Sequence, residues 1–494
     1  MQPWYVSEKV RAMDAKIISS GTPGLVLMER AGLGVSEFIS SLGAKGSALV
    51  LAGAGNNGGD GFVIARYLKS WGWKVDIILS HPRERSKGDA KVNLDRLENI
   101  LTVESSTLSD FEISSSLNDH DIIIDALLGT GITGQPRGET LRLIELLNAT
   151  RNGRKVLAVD IPSGLEGGGT CVKAEWTCTI GGRKLPMATG HGAALSGKIH
   201  FVSLGEGTDK FLENPEAFEI SVDDVRSRLP IRRADDHKGR RGGVLLVAGS
   251  KRYRGAALLA ARGALRMGAG IVVLASCPQV IDPLSYQLPE AIVEPLENPD
   301  EFSQIIQKWS KRCSTMLIGS GLDRDDRARE LCIKASKEWL GPSLWDGDGL
   351  YWLANEKLKP YNCSITPHEG EASVLLGVRS IGDRFEVVRE LSLKYGSALL
   401  KGYHSLVMGN KMSVPAILTA GDRTLSIPGS GDVLAGAASA MLAAGLDGAD
   451  ALTVAAWCHG MAGERLARSV GKDGVLAHEV ADALPAVLKE LYEL

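Results

Sequence analysis

Four aspartates stand beside glycine-rich or small-residue segments of the sequence: Asp60, Asp125, Asp160 and Asp432. Glycine lets backbone and ligand approach each other closely, so a carboxylate in such a place can reach a bound molecule. A carboxylate within reach of a ligand can move a proton or hold a cation. Each position therefore raises a hypothesis of acid–base catalysis or of ligand binding.

The first of these aspartates lies in the loop GAGNNGGDG, between a predicted strand and a helix predicted from Gly59. The loop satisfies the dinucleotide fingerprint GxGxxG, and Asp76 follows near the position of a ribose-binding acid. However, Asp60 in the first helical turn would repel a pyrophosphate docked at the helix N-terminus. The asparagine and aspartate oxygens instead suit hydroxyls, amides or a weakly held hard cation. A purely structural glycine-rich turn is the third interpretation. The fingerprint glycines are Gly53, Gly55 and Gly58.

Two further aspartates end predicted strands, Asp125 in DIIIDALLGTG and Asp160 in AVDIPSG. Ligands of open α/β sheets bind outside the carboxyl ends of the strands. An aspartate at such an end can also simply cap the following helix. Because three oxygen-rich strand ends converge on one predicted sheet edge, we favour a binding site.

The fourth aspartate opens a helical pattern in IPGSGDVLAGAASAMLAAG. Residues 429–431, Gly-Ser-Gly, precede it, so bare backbone N–H groups and the helix dipole form a predicted anion hole for a transferring phosphoryl group. Asp432 can accept a proton from a substrate hydroxyl there; the alternative is that it only caps the helix. No GK[ST] follows, so this segment is not a Walker A loop.

Three weaker signals occur in the same half of the chain. His368 in TPHEGE is either a structural histidine or a ligand contact. Lys401 in LKGYHS ends a predicted strand and either meets phosphate oxygens or is solvated. In WDGDG, Asp346 or Asp348 either binds a metal or forms a turn.

The predicted elements that must position these residues alternate in a βαβ pattern. Short β-branched runs alternate with longer helical patterns in both halves of the chain, which predicts parallel sheets covered by helices on both faces. The stretch 222–243 loses apolar periodicity and concentrates arginine and lysine, so we expect an exposed connection there. The predicted fold is therefore two α/β domains, residues 1–218 and 222–494.

The composition excludes several function classes. The 494 residues include 58 glycines, only 5% aromatics and a formal net charge of −3. These values offer no global attraction to nucleic acid or anionic membranes and no stacking platform for single strands. The seven scattered cysteines form no CxxC pair, and the N-terminus lacks the apolar region of a signal peptide. We expect a cytoplasmic protein that acts on small molecules, and we also expect a homo-oligomer.

In order along the chain, GAGNNGGDGFVIARYL, DALLGTGITG and VDIPSG resemble the epimerase domain of the NAD(P)H-hydrate repair enzymes. The resemblance implies a Rossmann-like three-layer α/β/α fold that interconverts the R and S forms of hydrated NAD(P)H at C6. It implies K⁺ held by Asn57, Asp125 and Ser163, and Asp160 as the acid–base residue. Besides Asp160, it implies that two runs contact the hydrated nucleotide: Asn56, Asn57, Gly58, Gly59 and Asp60, then Gly129, Thr130, Gly131, Ile132, Thr133, Gly134 and Gln135.

In the second half, HKGRRGGVLLVAGS, RGAALLAARGALRMGAG, IGSGL, TPHEGE, LKG and GSGDVLAG resemble the dehydratase domain of the same enzymes, a ribokinase-like α/β/α domain. The resemblance implies ADP as phosphate donor, together with Mg²⁺. It implies that the hydrated dinucleotide is contacted by Ala256, Gly321, His368 and Asp432. It implies that the phosphate donor is held by Lys401, Gly402, Tyr403, His404, Ser405 and Gly431.

Together the two resemblances imply a bifunctional repair enzyme. The first domain supplies the S epimer, and the second phosphorylates its C6 hydroxyl and eliminates phosphate, which restores NADH or NADPH and leaves AMP. One alternative is a ribokinase-like small-molecule kinase fused to an unrelated isomerase or lyase, which would release a stable phosphorylated product. Another is a non-catalytic dinucleotide-binding regulatory module, in which Asp160 and Asp432 would be dispensable.

Overall fold

The structure is a computed structural model that describes residues 1–43, 46–131, 134–150, 155–205 and 207–493. The chain divides into one unit of Pro3–Ala217 and a second of Phe218–Leu494 together with Met1–Gln2. The basic stretch 222–243, predicted as a connection, belongs to the second unit and begins with a short helix. Among the helices of the described residues, none is long and apolar enough to cross a membrane.

The first unit alternates strands and helices. Its strands are β1 (Gln2–Tyr5), β2 (Ser47–Ala52), β3 (Lys74–Leu79), β4 (Leu101–Glu104), β5 (Ile122–Ala126), β6 (Lys155–Val159), β7 (Trp176–Ile180), β8 (Arg183–Lys184) and β9 (Lys198–Val202). Its helices are α1 (Ser7–Ser19), α2 (Gly24–Ser41), α3 (Asn56–Ser70), α4 (Gly88–Asp95), α5 (Asp110–Asp119), α6 (Gly138–Ala149) and α7 (Gly190–Ser196).

The main sheet of the first unit is parallel, in the order β4-β3-β2-β5-β6-β7-β9. Alternate residues of β2 pack on opposite faces, Val50 against α2 and α3 and Leu51 against α5 and α6. These two apolar clusters make the three-layer α/β/α arrangement that the sequence predicts. The strand order reverses between β2 and β5, which places a ligand crevice at their carboxyl ends.

The second unit has the same alternation. Its strands are β10 (Ala217–Glu219), β11 (Gly243–Val247), β12 (Ile271–Ser276), β13 (Ile292–Pro295), β14 (Thr315–Ile318), β15 (Ser343–Trp345), β16 (Cys363–Ile365), β17 (Ser397–Leu400), β18 (Ser405–Met408) and β19 (Ala416–Leu418). Its helices are α8 (Val222–Arg226), α9 (Arg254–Arg266), α10 (Pro278–Gln287), α11 (Phe302–Trp309), α12 (Asp326–Glu338), α13 (Asp348–Asn355), α14 (Glu369–Leu376), α15 (Arg384–Tyr395), α16 (Ser430–Ala443), α17 (Gly448–Ser469) and α18 (Ala477–Glu493).

The sheet of the second unit is mixed rather than wholly parallel. Its order is β13-β12-β11-β14-β15-β16-β17-β18-β19-β10, and β18 runs antiparallel to both of its neighbours. Only residues 401–404 separate β17 from β18. A connection this short can join antiparallel strands but is too short for a parallel crossover. The expectation of parallel strands therefore holds from β13 to β17 and is wrong at β18.

Candidate active sites

A cavity of about 720 Å³ opens at the carboxyl ends of β2, β3, β5, β6 and β7 in the first unit. The loops after these strands line it, and α1 contributes Asp14. This is the sheet edge at which the sequence predicts a site. Of the residues implied by the family resemblance, the cavity lining includes Asn56, Asn57, Asp60, Gly129, Thr130, Gly131 and Asp160.

Some residues of the two implied binding runs lie elsewhere. Gly58 and Gly59 are buried in α3, and neither is part of the cavity lining. Gly134 and Gln135 also lie outside the lining, with the Gln135 side chain against Gly169. Ile132 and Thr133, which the resemblance also implies, lie outside the described residues.

The glycine-rich loop differs from the dinucleotide interpretation in two ways. Helix α3 begins at Asn56, three positions before the predicted start, so Asp60 lies in the second turn and not at the helix N-terminus. Asp76 lies near the start of β3, where its carboxylate is 3.0 Å from His120 Nε2 and outside the cavity lining. The expectation of a ribose-binding acid at Asp76 is therefore wrong.

Two of the fingerprint glycines are needed by the loop itself. A Cβ on Gly53 would lie 1.8 Å from the carbonyl oxygen of Leu127, and one on Gly58 would lie 1.8 Å from that of Gly53. No side chain fits at such a distance, so Gly53 lets the loops after β2 and β5 touch, and Gly58 lets the start of α3 pack against the loop before it. Their presence is explained by packing and does not by itself indicate a pyrophosphate.

A buried polar cluster lies below the cavity floor. Asp125 Oδ1 accepts a hydrogen bond of 2.6 Å from Ser163 Oγ, and its Oδ2 accepts one of 2.8 Å from the Ser163 N–H. Burial raises the pKa of Asp125 to about 6. The Oδ1 and Nδ2 atoms of Asn57 are buried and have no hydrogen-bond partner among the described residues. An unpartnered buried amide is costly, so both polar atoms of the Asn57 side chain are available to a bound ligand.

Asp160 is held by a residue that the sequence analysis did not identify. Lys184 Nζ lies 2.6 Å from Asp160 Oδ1 and also donates to the carbonyl oxygens of Ile180 and Gly182. Asp160 has a φ of +71°, an uncommon left-handed conformation for a residue other than glycine. Local strain of this kind is often found at functional sites, where the surrounding contacts fix one side-chain direction.

Two more carboxyl groups face the same cavity. Burial raises the pKa of Asp14 to about 6, with the charge of Asp160 adding to the effect and that of Lys184 opposing it. Burial also raises the pKa of Asp60 well above its ordinary value, and the charges of Asp160 and Asp14 raise it further. Asp14, Asp60, Asp160 and Glu139 thus line the cavity together with Lys184 and three arginines, and Asp160 is the carboxylate that lies in direct contact with Lys184.

The second unit has its own cluster at the carboxyl ends of β14 to β17. Asp346, directly after β15, accepts hydrogen bonds of 2.8 Å from Thr366 Oγ1 and 3.1 Å from Lys401 Nζ. Ser320 Oγ, after β14, lies 3.4 Å from the other oxygen of Asp346. Asp348, by contrast, accepts from the Asp323 N–H and from Arg324, which agrees with the turn interpretation for that residue.

His368 and Glu371 join this cluster through Lys401. His368 caps α14, and its Nδ1 accepts from the Glu371 N–H. The His368 side chain is 60% exposed, so it is available to a ligand as well as being a cap. Glu371 Oε2 lies 3.8 Å from Lys401 Nζ, and burial raises the pKa of Glu371.

Asp432 lies in the first turn of α16, as predicted. Gly429 before it has a φ of +86°, which suits glycine and turns the chain into the helix. Burial raises the pKa of Asp432 to about 7, and the charge of Asp346 is the next contribution. A Cβ on Gly431 would lie 3.6 Å from Lys401 Nζ, so the start of α16 is next to the lysine.

The family resemblance implies further binding residues in this unit, and their contacts are as follows. A Cβ on Gly321 would lie 2.6 Å from the Ala256 Cβ, so these two residues touch. The β17–β18 turn contains Gly402, and Ser405 Oγ donates to its carbonyl oxygen. The Tyr403 ring stacks on His404 at 4.6 Å. The structure therefore brings Lys401 to the cluster around Asp346 and places 402–405 in the adjoining hairpin.

His459, in the apolar helix α17, reaches the same helix start. Its Nε2 lies 3.1 Å from the Ser430 hydroxyl, and burial lowers the pKa of His459 to about 4. A neutral imidazole is therefore the second neighbour of the Gly-Ser-Gly segment. The preceding cysteine, Cys458, is buried in the apolar core.

Each unit thus has an aspartate with a lysine nearby at the carboxyl edge of an α/β/α sheet. Enzymes that use nucleotides commonly have this architecture.

The family described as NAD(P)H-hydrate dehydratase matches residues 244–486, and the one described as YjeF-related protein N-terminus matches residues 24–185. The chain is 36% identical to a bifunctional NAD(P)H-hydrate repair enzyme of Thermanaerovibrio acidaminovorans, over 98% of both chains. It is 33% identical to the enzyme of that name from Escherichia coli, over 89% of this chain and 84% of the other. The chain belongs to the family of bifunctional NAD(P)H-hydrate repair enzymes.

A solved structure also resembles the second unit. A ribokinase-like superfamily protein from Enterococcus faecalis has a TM-score of 0.52 and 22% sequence identity, covering 57% of this chain and 98% of that chain. At this identity the likeness shows the fold. The predicted ribokinase-like α/β/α fold of the second domain is confirmed.

Proposed function

We propose that this chain repairs hydrated NAD(P)H in two steps. The first unit interconverts the R and S hydrates at C6, and the second converts the S hydrate to NAD(P)H with a nucleoside diphosphate or triphosphate. The observation that carries the proposal is the placing of Asp432 at the Gly-Ser-Gly start of α16, beside Lys401. That arrangement suits phosphorylation of a hydroxyl, and the family membership supplies the hydrated dinucleotide as its substrate.

In the second unit, the C6 hydroxyl is a poor leaving group. Asp432 takes its proton as the oxygen attacks the terminal phosphoryl group, and a C6–O–P linkage forms while the bond to the nucleotide breaks. The N–H groups at the start of α16 and the ammonium of Lys401 stabilise the transferring phosphoryl charge. Loss of phosphate from C6 and of a proton from C5 then forms the C5=C6 double bond of the reduced nicotinamide.

Mg²⁺ fits this site as a companion of the nucleotide. No group of three or more His, Cys, Asp or Glu side chains that could hold a metal occurs in the described part of the chain. Mg²⁺ is commonly bound by one or two carboxylates together with substrate phosphates, and it offsets their negative charge. Glu371, whose carboxylate faces Lys401, is the residue that we propose to hold it.

In the first unit we propose that K⁺ binds at Asn57, Asp125 and Ser163. The unpartnered amide of Asn57 supports this, since oxygen donors are the ligands that hard cations take. The positive charge of the ion favours the ionised form of Asp125, which burial otherwise disfavours. Bound K⁺ would fix the loops that carry Asn57 and Ser163 at the cavity floor.

The proposal is tested by supplying the purified full chain with mixed epimers of hydrated NADH, Mg²⁺, and either ADP or ATP. We expect the absorbance of NADH to return until all of the hydrate is consumed, with AMP or ADP and phosphate as co-products. No recovery with either nucleotide would contradict the repair function. A stable phosphorylated hydrate in place of NADH would indicate a kinase instead.

A further inference from the structure

We propose that Arg85 and Arg137 bind the 2′-phosphate on the adenosine of the substrate, so that the first unit acts on the hydrate of NADPH in preference to that of NADH. This inference rests on the proposed epimerase function. It gives a role to two arginines that line the cavity and have no hydrogen-bond or ion-pair partner among the described residues.

The loop after β3 is where an open α/β sheet reads the adenosine ribose of a dinucleotide. An acid in this region binds the 2′-hydroxyl of NAD, and an arginine accommodates the 2′-phosphate of NADP. Here β3 is the neighbour of β2, the strand that precedes the glycine-rich loop. Asp76 lies outside the cavity lining, so it supplies no such acid. The residues of the β3 loop that do line the cavity are Ser80, His81, Pro82 and Arg85.

Arg85 belongs to a turn that is anchored at both ends. It is the last residue of the single 3-10 turn Arg83–Arg85. Before it, the Arg83 N–H donates to Glu104 Oε1 at 2.9 Å, and His81 Nε2 lies 2.8 Å from the hydroxyl of Ser86, directly after the turn. The backbone that carries Arg85 is therefore fixed, while the N–H donors of its guanidinium remain available to a ligand.

Arg137 lies on the same side of the cavity as the β3 loop. It directly precedes α6, in which Glu139 Oε2 accepts a hydrogen bond of 2.7 Å from Ser105 Oγ. Ser105 directly follows β4, the neighbour of β3. Arg142 Nη1 lies 3.0 Å from the same oxygen of Glu139 and offsets its negative charge. This side of the cavity therefore has two unpaired guanidinium groups and no unpaired carboxylate among its described residues.

The other carboxyl groups of the cavity form a separate group near β6 and β7. Their charges act on one another and on Lys184, and they belong to Asp14, Asp60 and Asp160. Strands β2 and β5 separate β3 from β6, so the loop after β3 begins about 14 Å from Asp160. A phosphate is repelled by carboxylates and attracted by guanidinium groups. The nicotinamide therefore belongs beside Asp160, and the 2′-phosphate belongs beside the two arginines.

The chemistry of the two substrates differs at this position alone. A 2′-phosphate carries a charge close to −2 and three acceptor oxygens, which match the planar fork of an arginine. The hydrate of NADH has a hydroxyl there, which can form neither ion pairs nor bidentate contacts. Both arginines are exposed, so they stay hydrated when NADH hydrate is bound. NADH hydrate is therefore still a substrate, but it binds more weakly.

The test compares the two hydrates on the full chain. Pure R hydrate of NADPH or of NADH is supplied without Mg²⁺ and without ADP or ATP, so that the second unit does not consume the product. The S hydrate formed is measured by chiral chromatography, after subtraction of the reaction without enzyme. We expect kcat/KM for NADPH hydrate to exceed that for NADH hydrate by about tenfold or more, through a lower KM.

The variants address the arginines directly. Arg85→Gln and Arg137→Gln are each expected to lower kcat/KM for NADPH hydrate by about tenfold, with kcat and the values for NADH hydrate unchanged. Arg85→Lys keeps the charge without the fork and should regain part of the preference. Arg83→Gln is the matched control, because its guanidinium donates to the Leu94 carbonyl oxygen outside the cavity lining. It should keep the values for both hydrates.

Three results would overturn the proposal while leaving the epimerase function intact. They are equal kcat/KM for the two hydrates in the unmodified chain, an unchanged ratio in either glutamine variant, and an equal loss for both hydrates in those variants. The last would show that the arginines bind a phosphate that NADH hydrate also has. An unmodified chain that inverts neither hydrate would contradict the epimerase function itself.

Discussion

The Nζ atom of Lys184 lies 2.6 Å from Oδ1 of Asp160, and the lysine side chain is only 2% exposed. Two backbone carbonyl oxygens and the Thr179 hydroxyl complete its surroundings. A buried ammonium with four acceptors has no freedom to move, so it fixes the position of the Asp160 carboxylate. The pair therefore links the stability of the first unit to its chemistry.

Removing the lysine is expected to destabilise the protein. Lys184→Met leaves Asp160 without its counter-charge, and breaking a buried pair costs about 3–5 kcal/mol. Urea unfolding should show this loss, together with a fall in epimerase rate. The double variant Lys184→Met with Asp160→Asn is expected to regain part of the stability, because no unpaired charge is then left. A Lys184→Met protein with unchanged stability would contradict the view that the pair is buried and ionised.

The K⁺ proposal predicts an ion-specific effect on stability. In KCl the melting temperature of the unmodified chain should exceed that in choline chloride of equal ionic strength, and the epimerase rate should rise with it. Asn57→Ala removes an amide that has no hydrogen-bond partner in the described residues, so it should abolish the K⁺ effect at little cost in choline chloride. Equal melting temperatures of the unmodified chain in the two salts would contradict a K⁺ site.

The dehydratase rate should depend on pH through Asp432. A general base must be ionised, and the pKa of Asp432 is raised to about 7 by burial and by the charge of Asp346. We therefore expect kcat/KM to rise through about pH 7 and to level off above it. Asp346→Asn removes a nearby negative charge, which lowers the pKa of Asp432 and moves this rise to lower pH.

A graded comparison separates this electrostatic effect from a general loss of structure. Asp348 contributes less to the pKa of Asp432 than Asp346 does, and it is bonded to Arg324. Asp348→Asn should therefore shift the pH profile in the same direction but by a smaller amount. Profiles that keep their midpoint in both variants would show that Asp432 is not the titrating base.

Much of the architecture could be predicted because apolar runs and glycine-rich strand ends are local signals. The strands before Gly53 and Asp160 and the strand that contains Asp125 lie where the sequence predicts them, and α16 begins at the Gly-Ser-Gly segment. The error at Asp76 arose from spacing alone. It is the third residue of β3, whose carboxyl end is at Leu79, so the strand register carries it away from the ligand edge.

The site residues that the sequence analysis did not identify had no local signal in the sequence. Lys184 lies in the two-residue strand β8, and Asp14 lies in α1, far from any glycine-rich motif. They meet Asp160 only because the fold brings α1 and the turn after β7 to the ends of the central strands. His459 likewise reaches Ser430 from the middle of α17, where the sequence shows an apolar helix. Contacts of this kind, between single polar residues that are distant in the sequence, cannot be predicted from the spacing of motifs.

The central claim is that one chain carries two successive activities on separate aspartates. The most direct measurement gives equal amounts of the R and S hydrates of NADH, with ADP and Mg²⁺, to the unmodified chain, to Asp160→Asn and to Asp432→Asn. We predict full rapid recovery of NADH for the first, recovery of the S half only for the second, and no recovery for the third. Full rapid recovery by Asp160→Asn, or any rapid recovery by Asp432→Asn, would contradict the account.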